Sequence, residues 1–305
     1  MALPGFVGVG AEKAGTTPLA LVLAQHRDVF LPPGKETHFF SRSYSARGLL
    51  WYETGNFHGH GAQRAVGEIT PEYMRFPEVP GRLREALGPE LKIIVCLREP
   101  AARAFSHYLQ CVRLLQENES FARALELEEA RIAEDRYAGI RRAYLGGSLY
   151  AAQVRRLLEH FPRQNIFYMV LEEDFVRDRA ATVARLFEFL GVGPDPAVRL
   201  EVRDTSLPPP QLRFVGAQER VRYRAGRTRL RLPPGAICFV TGNELADRFI
   251  ARPSAATRAY FERLRAEMTR ELPAELAARL YERHFRDDIG RLEELIGRDL
   301  TAWRR

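Results

Sequence analysis

The first two thirds of the chain alternate between short apolar runs and longer amphipathic stretches. Four of the apolar runs predict strands, at residues 6–9, 65–69, 91–97 and 165–171. The run at residues 91–97 is almost continuously apolar, which is typical of a central parallel strand that is covered on both faces. Because apolar residues recur at helical spacing between the runs, the pattern predicts an α/β fold built on a parallel sheet.

The last third of the chain has a different pattern. Residues 213–231 carry a dense run of arginines, and residues 253–303 have strong helical periodicity. No linker is clear enough to divide the chain, so we predict one domain over residues 1–305. Within it we expect a core at about residues 5–195, a variable region at about 196–252 and C-terminal helices at about 253–303.

The composition limits the classes of partner. The 305-residue chain has a formal net charge of +7, carried by arginine far more than by lysine, and the planar guanidinium suits phosphate and sulfate groups. No recognisable nucleic-acid-binding module accompanies this charge, so no nucleic-acid partner is expected. We find no apolar run long enough to cross a bilayer and no basic-then-apolar leader, so we expect a cytoplasmic protein.

The thiols and imidazoles of the chain do not predict a metal site. Cys96, Cys111 and Cys238 are too few and too scattered for a disulfide framework, and none pairs with a nearby Cys or His at metal-ligand spacing. His58 and His60 lie close in sequence but lack a carboxylate or cysteine partner. We therefore expect reduced, mostly buried thiols and no bound metal, and the oligomeric state is left open.

A glycine-rich loop joins the first predicted strand to the first predicted helix. It consists of Gly10, Ala11, Glu12, Lys13, Ala14, Gly15, Thr16 and Thr17. Such a junction aims backbone N–H groups and the positive end of a helix at one point, so it suits a phosphate or another tetrahedral oxyanion. Lys13 adds a full charge, and Thr16 and Thr17 add hydroxyl donors. The alternative is an ordinary turn with an exposed lysine.

A second candidate segment, residues 35–40, sets polar residues against aromatic ones. Glu36 and His38 are two residues apart, so they point the same way from an extended backbone. Phe39 and Phe40 would keep water away and shift the pKa values of their neighbours. The segment is therefore one candidate position for a general base. The alternative is a surface turn anchored by two buried phenylalanines.

Polar residues also lie within or just beyond two further predicted strands. Glu68 lies in the strand at residues 65–69 and is either a catalytic group or a structural hydrogen-bond acceptor. Arg98 follows the strand at residues 91–97, and Ser106 lies about two turns along the next helix. Ligands of open α/β sheets bind beyond the carboxyl ends of the strands, so Arg98 and Ser106 are expected to converge on one phosphate.

Four segments, taken in order, resemble motifs of sulfotransferases that use 3′-phosphoadenosine 5′-phosphosulfate (PAPS). Residues 10–17 resemble the 5′-phosphosulfate loop, and residues 97–108 (L-R-E-P-x-x-R-A-x-S-H-Y) resemble the 3′-phosphate motif. Residues 35–40 (K-E-x-H-F-F) and 67–73 (G-E-x-T-P-x-Y) resemble segments of bacterial sulfotransferases related to the glucosaminyl 3-O- and N-sulfotransferases. Residues 296–303 also resemble the closing segment of those bacterial enzymes.

This resemblance implies a fold and a reaction. The fold would be a P-loop-like doubly wound parallel sheet flanked by helices, with helical insertions and a helical C-terminal region. The reaction would move the sulfuryl group of PAPS to a hydroxyl, or less favourably an amine, of a carbohydrate or natural-product acceptor and release 3′-phosphoadenosine 5′-phosphate (PAP). No metal is implied.

The resemblance also implies roles for the candidate residues. Lys13 and the amides of the first loop would bind the 5′-phosphosulfate, while Arg98 and Ser106 would hold the 3′-phosphate. Glu36 would take the proton of the acceptor as the acceptor attacks sulfur. His38 would assist in acid–base work or orient the acceptor. Two further acceptor contacts are expected from Glu68 and Tyr73.

Two departures from the family pattern bear on the acceptor. Ile69 stands where 3-O-sulfotransferases of this group often have lysine, and Ser41 stands where an aspartate often follows the two phenylalanines. Both departures speak against a heparan-like acceptor, although neither affects sulfuryl transfer itself.

Two other functions compete with sulfuryl transfer. The first is a P-loop nucleoside or small-molecule kinase dependent on ATP and Mg²⁺. In a Walker A loop the lysine directly follows the second glycine, whereas Lys13 precedes Gly15 by two residues, which argues against this function. The second is a PAP-binding protein without turnover, and the presence of Glu36 makes it less favourable.

Overall fold

The computed structural model describes residues 3–114, 116–201, 266 and 270–304, together with the backbone of five short strands between residues 211 and 250. The chain divides into two compact units. One comprises Met1–Ala104, Glu128–Thr205 and Ala274–Arg305, and the other comprises Phe105–Leu127 and Ser206–Pro273. The predicted single-domain boundaries stay a prediction.

The first unit is built on a five-stranded parallel sheet. Its strands are β1 (Phe6–Gly10), β2 (Val29–Phe30), β3 (Ala65–Ile69), β4 (Lys92–Leu97) and β5 (Ile166–Val170), in the spatial order β2-β3-β1-β4-β5. Every residue of β1 and β3 is buried, as are residues 93–97 of β4. The apolar runs therefore form strands because their side chains are covered on both faces.

The strand order places a topological switch point at β1. The chain proceeds from β1 to β2 and β3 on one side and then to β4 and β5 on the other. In an open α/β sheet, the loops at the carboxyl ends of strands on either side of such a point leave a crevice that binds ligands. The ends of β3, β1 and β4 are thus the expected position of a site.

Helices follow the strands along the described parts of the chain. They are α1 (Thr16–Leu23), α2 (Leu49–Asn56), α3 (Val79–Leu87), α4 (Pro100–Arg113), α5 (Phe121–Glu126), α6 (Glu128–Glu134), α7 (Arg136–Arg141), α8 (Tyr150–His160), α9 (Arg179–Leu190), α10 (Ala274–Leu280) and α11 (Arg286–Ile296). The α4 helix begins with Pro100, and the preceding Glu99 carboxylate accepts hydrogen bonds from the N–H groups of Ala101 (2.8 Å) and Ala102 (2.6 Å). These caps satisfy donors that the first helical turn leaves unpaired.

The charged stretch that begins at residue 119 folds as three short helices, α5, α6 and α7. Ser120 and Asp135 act as N-caps, since their side chains accept from the N–H groups of Arg123 and Ala138. A side chain that caps a new helix start interrupts a continuous helix, because the capping residue itself has extended backbone.

The second unit contains short antiparallel strands that the sequence pattern did not predict. Gln211–Phe214, Ile237–Val240 and Arg248–Ile250 form a three-stranded sheet, and Arg220–Tyr223 pairs with Thr228–Arg231. The arginine-dense stretch therefore includes a hairpin-like strand pair. The side chains of this stretch lie outside the described residues, and so do residues 253–265 and 267–269 of the predicted C-terminal helical region.

The described C-terminal segment packs into the first unit. The Asp288 carboxylate accepts from the N–H groups of Tyr150 (2.7 Å) and Ala151 (3.2 Å), which lie at the start of α8. Arg298 donates to Asp174 just beyond β5, with Nη1 at 2.5 Å from Oδ2. The predicted α/β architecture with a helical C-terminal region is confirmed.

The described residues include neither a candidate membrane span nor a candidate metal-binding cluster. None of the described helices has the length and apolar character needed to traverse a bilayer. Within the same residues, no group of three or more His, Cys, Asp or Glu side chains is arranged to hold a metal ion.

Candidate active site

The loop after β1 folds tightly against its neighbours. Gly10 has φ of 143°, and a Cβ atom there would lie 2.5 Å from the carbonyl oxygen of Pro71. Ala11 N–H donates to the Cys96 carbonyl at 2.6 Å, which ties the loop to β4. Lys13 and Gly15 both have positive φ, at 69° and 87°. The chain thereby turns directly into α1.

The start of α1 supplies donors for an anion. The first N–H groups of a helix have no partner within the helix, and the first helical hydrogen bond here runs from Leu19 N–H to the Gly15 carbonyl. No side chain caps this helix start. The N–H groups of Thr16 and Thr17 therefore point, with the positive end of the helix dipole, into the mouth of the loop.

Two buried arginines are hydrogen-bonded to the loop at Glu12. Arg75 Nη2 donates to the Glu12 carboxylate at 2.6 Å, and Arg103 Nη1 donates to the Glu12 carbonyl at 3.4 Å. The Arg103 side chain is fully buried and also donates from Nε to Ser148 Oγ at 2.6 Å. Burial lowers the pKa of Arg103, yet a guanidinium stays protonated in proteins. Its positive charge adds to a field that favours an anion in the loop.

Arg98 lies beside the loop, at the end of the adjacent strand β4. Its Nη1 donates to the Lys13 carbonyl at 3.2 Å, and its Nε lies 4.0 Å from Glu172 Oε1. The structure therefore brings Lys13 and Arg98 together. Ser106 is a half-buried residue of α4, and its predicted role with Arg98 stays a prediction.

The segment with Glu36 lies at the end of β3, which neighbours β1. Ile69 N–H donates to the Lys35 carbonyl at 2.9 Å, and this bond fixes the segment to the strand end. Lys35 and His38 have φ of 59° and 54°, so the backbone is not extended as predicted. Glu36 and His38 nevertheless approach each other, with Oε2 and Nε2 at 3.4 Å.

The Glu36 carboxylate is partly exposed and has a basic group at each oxygen. Its side chain is 33% exposed. Lys35 Nζ donates to Oε1 at 2.5 Å, and His38 lies near Oε2. The next two residues, Phe39 and Phe40, are buried and anchor the segment. The predicted alternative of a turn held by two phenylalanines and the predicted general base are thus compatible, because the buried rings and the partly exposed carboxylate belong to one turn.

Glu68 is the centre of a buried hydrogen-bond network. It accepts from Thr37 Oγ1 (2.7 Å), Thr70 Oγ1 (2.6 Å), Tyr52 OH (2.6 Å) and Tyr73 OH (3.2 Å). Burial raises the pKa of Glu68 despite these hydrogen bonds, which act in the opposite direction. The network holds Thr37 in place, and with it the residues on either side.

This burial conflicts with the predicted acceptor contacts. Glu68 and Tyr73 are both 0% exposed, so neither side chain offers a surface to a ligand. Their hydrogen bonds are made instead with each other and with buried or part-buried neighbours: Thr37, Thr70, Tyr52 and the Phe40 N–H. The structural alternative for Glu68 accounts for its surroundings, because a buried carboxylate needs such donors.

Glu72 is a buried carboxylate that the sequence reasoning did not select. Arg42 donates to both of its oxygens, from Nε to Oε1 at 3.0 Å and from Nη2 to Oε2 at 2.7 Å. Ser41 Oγ donates to Oε1 at 2.5 Å, and His38 Nδ1 lies 3.1 Å from the same oxygen. Burial by itself would raise the pKa of Glu72, but His38, Arg42 and Ser41 outweigh it and hold the pKa well below its usual range.

We expect Tyr52→Phe to destabilise the protein by about 1 kcal/mol, the usual net value of one hydrogen bond. The substitution keeps the buried ring and removes only the hydroxyl that donates to Glu68 at 2.6 Å. Urea denaturation followed by circular dichroism measures the change.

Tyr44→Phe is the matched control for this prediction. The Tyr44 hydroxyl donates to Glu85 Oε2 at 2.9 Å in an exposed setting, where water replaces the lost bond. A smaller loss of stability is expected for the control. Equal effects of the two substitutions would contradict the central position of Glu68.

The fold and the loops at the strand ends agree with the sulfotransferase class that the sequence motifs predict, and comparison with known proteins gives the same class. The chain matches the family model described as "Sulfotransferase domain" over residues 6–209. It belongs to this sulfotransferase family, and the family predicted from the sequence motifs is confirmed.

Individual relatives and a solved structure agree with this membership. Over 194 residues, the chain is 33% identical to human (Homo sapiens) heparan sulfate glucosamine 3-O-sulfotransferase 3B1, a match that covers 62% of this chain and 46% of that protein. It is 36% identical over 185 residues to human heparan sulfate glucosamine 3-O-sulfotransferase 6, covering 60% and 51%. The crystal structure of a sulfotransferase from Alicyclobacillus acidocaldarius matches with a TM-score of 0.69 and 30% identity over 100% of both chains. The chain spans about half the length of the curated relatives it matches.

Proposed function

We propose that this protein is a PAPS-dependent sulfotransferase that transfers a sulfuryl group to a hydroxyl of a carbohydrate or natural-product acceptor, with an amine as the less favoured nucleophile. One observation carries the proposal: three adjacent strand ends present an anion loop with Lys13, a carboxylate at Glu36 and a guanidinium at Arg98. This is the set of groups that a phosphosulfate donor and a hydroxyl acceptor require.

The donor set of the loop fits the proposed cofactor. PAPS carries an activated sulfuryl group on its 5′-phosphate and a further phosphate at the 3′ position. The N–H groups at the start of α1, together with Lys13, suit the first group. Arg98 suits the second as a planar, multidentate donor at the neighbouring strand end. We assign the 3′-phosphate to Arg98, with Ser106 as its predicted partner.

Lys13 and Glu36 have opposite tasks in the proposed reaction. Negative charge grows on the phosphate oxygen that departs from sulfur, and Lys13 with the loop amides offsets that charge. Glu36 accepts the proton of the acceptor hydroxyl as its oxygen forms the new bond to sulfur. A carboxylate is deprotonated near neutral pH without further tuning. The two groups therefore act at the two ends of the S–O exchange.

The acceptor is proposed only as a class. The relatives named above are heparan sulfate glucosamine 3-O-sulfotransferases, which supports a carbohydrate hydroxyl. Ile69, which replaces a lysine of that group, is 1% exposed, so an apolar buried side chain takes its place. Transfer from radiolabelled PAPS to panels of glycans, glycolipids, glycopeptides and phenols tests the class, and a phenol as the only acceptor would contradict it.

We expect PAP to bind about tenfold or more tightly than AMP, because a hydrogen-bonded charge pair at the 3′-phosphate contributes about 1.5–3 kcal/mol. The Arg98→Ala substitution should remove most of that preference. Isothermal titration of both nucleotides against both proteins measures it.

Arg177→Ala is the control for the nucleotide titration, since Arg177 is an exposed arginine just beyond β5. It should leave the preference for PAP unchanged. Equal affinities of the wild-type protein for PAP and AMP would contradict the assignment of the 3′-phosphate to Arg98. Tight ATP binding that depends on Mg²⁺ would favour the kinase alternative, and PAP binding without transfer to any acceptor would favour a non-catalytic nucleotide-binding protein.

A further inference from the structure

His38 lies between two carboxylates. Its Nε2 is 3.4 Å from Glu36 Oε2, and its Nδ1 is 3.1 Å from Glu72 Oε1. The two nitrogens are on different edges of the imidazole ring, so each edge faces one carboxylate. The ring therefore links the proposed general base to a second acidic group.

The two carboxylates differ in how firmly they are held. The side chain of Glu36 is 33% exposed, whereas that of Glu72 is 6% exposed. Arg42 binds both oxygens of Glu72, and Ser41 Oγ donates to one of them at 2.5 Å. Such bidentate, charge-assisted bonds fix both the position and the rotation of a carboxylate. Glu72 is the fixed member of the set.

The backbone around Glu72 is also fixed. Glu72 lies three residues after the end of β3, and between them Thr70 N–H donates to the Gly8 carbonyl at 2.9 Å. Arg75 N–H donates to the Glu72 carbonyl at 3.1 Å. On its outer side, Arg141 Nε lies 3.9 Å from Glu72 Oε2. Glu72 thus lies in a hydrogen-bonded turn close to the end of β3.

We propose that Glu72 is a positioning residue for sulfuryl transfer, which holds the His38 ring so that Nε2 faces Glu36 and sets the direction of that carboxylate. This inference rests on the proposed function. Glu72 does not touch the reacting atoms. It acts through His38, which is placed on the segment at positive φ of 54° and would otherwise be free to rotate about its side-chain bonds.

A purely structural role for Glu72 makes a different prediction. If Glu72 only anchors Arg42 and Ser41, its loss should harm the protein equally whether or not His38 is present. If Glu72 acts through His38, its loss should have little further effect once His38 is replaced. A double-mutant cycle separates the two cases, because independent sites add and coupled sites do not.

The cycle uses Glu72→Gln, His38→Asn and the double variant, with Glu78→Gln as the matched control. Glu78 also accepts two hydrogen bonds from an arginine, from Arg136 Nη1 at 3.1 Å and Nη2 at 2.8 Å, but in an exposed setting. Turnover is measured with radiolabelled PAPS and the best glycan acceptor of the panel, and PAP affinity by isothermal titration. Glu72→Asp, which keeps the negative charge and shortens the side chain by one methylene, serves if the glutamine variant does not fold.

We expect Glu72→Gln to lower kcat by about ten- to a hundredfold, the range found for groups that orient a functional ligand. PAP affinity should stay within about twofold, since binding of the nucleotide does not use His38. The double variant should be no slower than His38→Asn, and Glu78→Gln should match the wild type. Full turnover by Glu72→Gln, or multiplied losses in the double variant, would overturn the inference.

A spectroscopic readout keeps the inference testable without an acceptor. Histidine labelled with ¹⁵N gives ring signals for the seven histidines, and the signals lost in His38→Asn identify His38. These signals should shift in Glu72→Gln and not in Glu78→Gln. Unchanged His38 signals would overturn the role of Glu72 even if the wild type is active. Shifted signals in a protein that binds PAP but transfers no sulfuryl group would show that the proposed function, and not the Glu72–His38 contact, is at fault.

Discussion

Replacement of Glu36 by glutamine should lower turnover by about a thousandfold, within the range of general acid–base catalysis, while PAP affinity is unchanged. The amide keeps the size of the side chain and its hydrogen bond from Lys35, which is 2.5 Å long in the wild type. It has no basic oxygen that can accept the acceptor's proton near neutral pH. The expected result is therefore a loss in kcat with little change in nucleotide binding, measured by radiolabel transfer and by titration with PAP.

Glu188→Gln is the control for this substitution. Glu188 is exposed on α9, and the same change of carboxylate to amide there should leave turnover unaltered. An active Glu36→Gln protein would transfer the base role to His38. Glu68 is the less suitable candidate, because it is 0% exposed and its oxygens accept from several donors.

Lys13→Ala should lower turnover by on the order of a hundredfold or more, the effect of removing one preorganised donor from a developing charge. Positive φ at Lys13, 69°, and the hydrogen bond from Arg98 to its carbonyl fix the backbone at this point. The alanine variant keeps the loop amides and the helix start. Because the charge on the leaving phosphate grows during the reaction, kcat should fall more than PAP affinity, as steady-state kinetics and titration would measure.

Lys92→Ala is the matched control for Lys13. Lys92 lies at the amino end of β4, whereas the proposed site lies at the carboxyl ends of the strands. Its replacement should change neither kcat nor PAP affinity. A Lys13→Ala protein with wild-type kcat and weakened PAP binding would restrict Lys13 to ground-state binding of the cofactor.

The parallel sheet was predictable because its buried strands are short apolar runs in the sequence. Residues 93–97 of β4 and all of β1 are buried, and strands covered on both faces are nearly continuous apolar runs. The strand pair within residues 220–231 was not predictable in the same way. It sets Arg220 opposite Arg231 and Arg222 opposite Arg229, and such a pattern carries no continuous apolar signal.

The residues of the candidate site also fall into those that have a local sequence signal and those that have none. Lys13 and Glu36 stand out in the sequence because each belongs to a local motif whose spacing has a chemical reason. Arg75 and Arg103, which hold the loop, have no local signal that separates them from exposed arginines, although Arg103 lies inside the motif of residues 97–108. Glu72 lies inside the motif of residues 67–73 at a position that the motif leaves open.

The sequence by itself determined the parallel sheet, the anion loop before α1 and the chemical types of the groups that follow β1, β3 and β4. Those features depend on periodicity and on spacing within short segments. Only the tertiary structure decided that Glu68 and Tyr73 are buried supports and that Glu72 reaches His38 at 3.1 Å. The reason is that burial and ion pairing depend on which strand ends are neighbours. Glu72 and His38 are 34 positions apart in the chain, and they meet because Lys35 and Thr37 are both hydrogen-bonded to the end of β3.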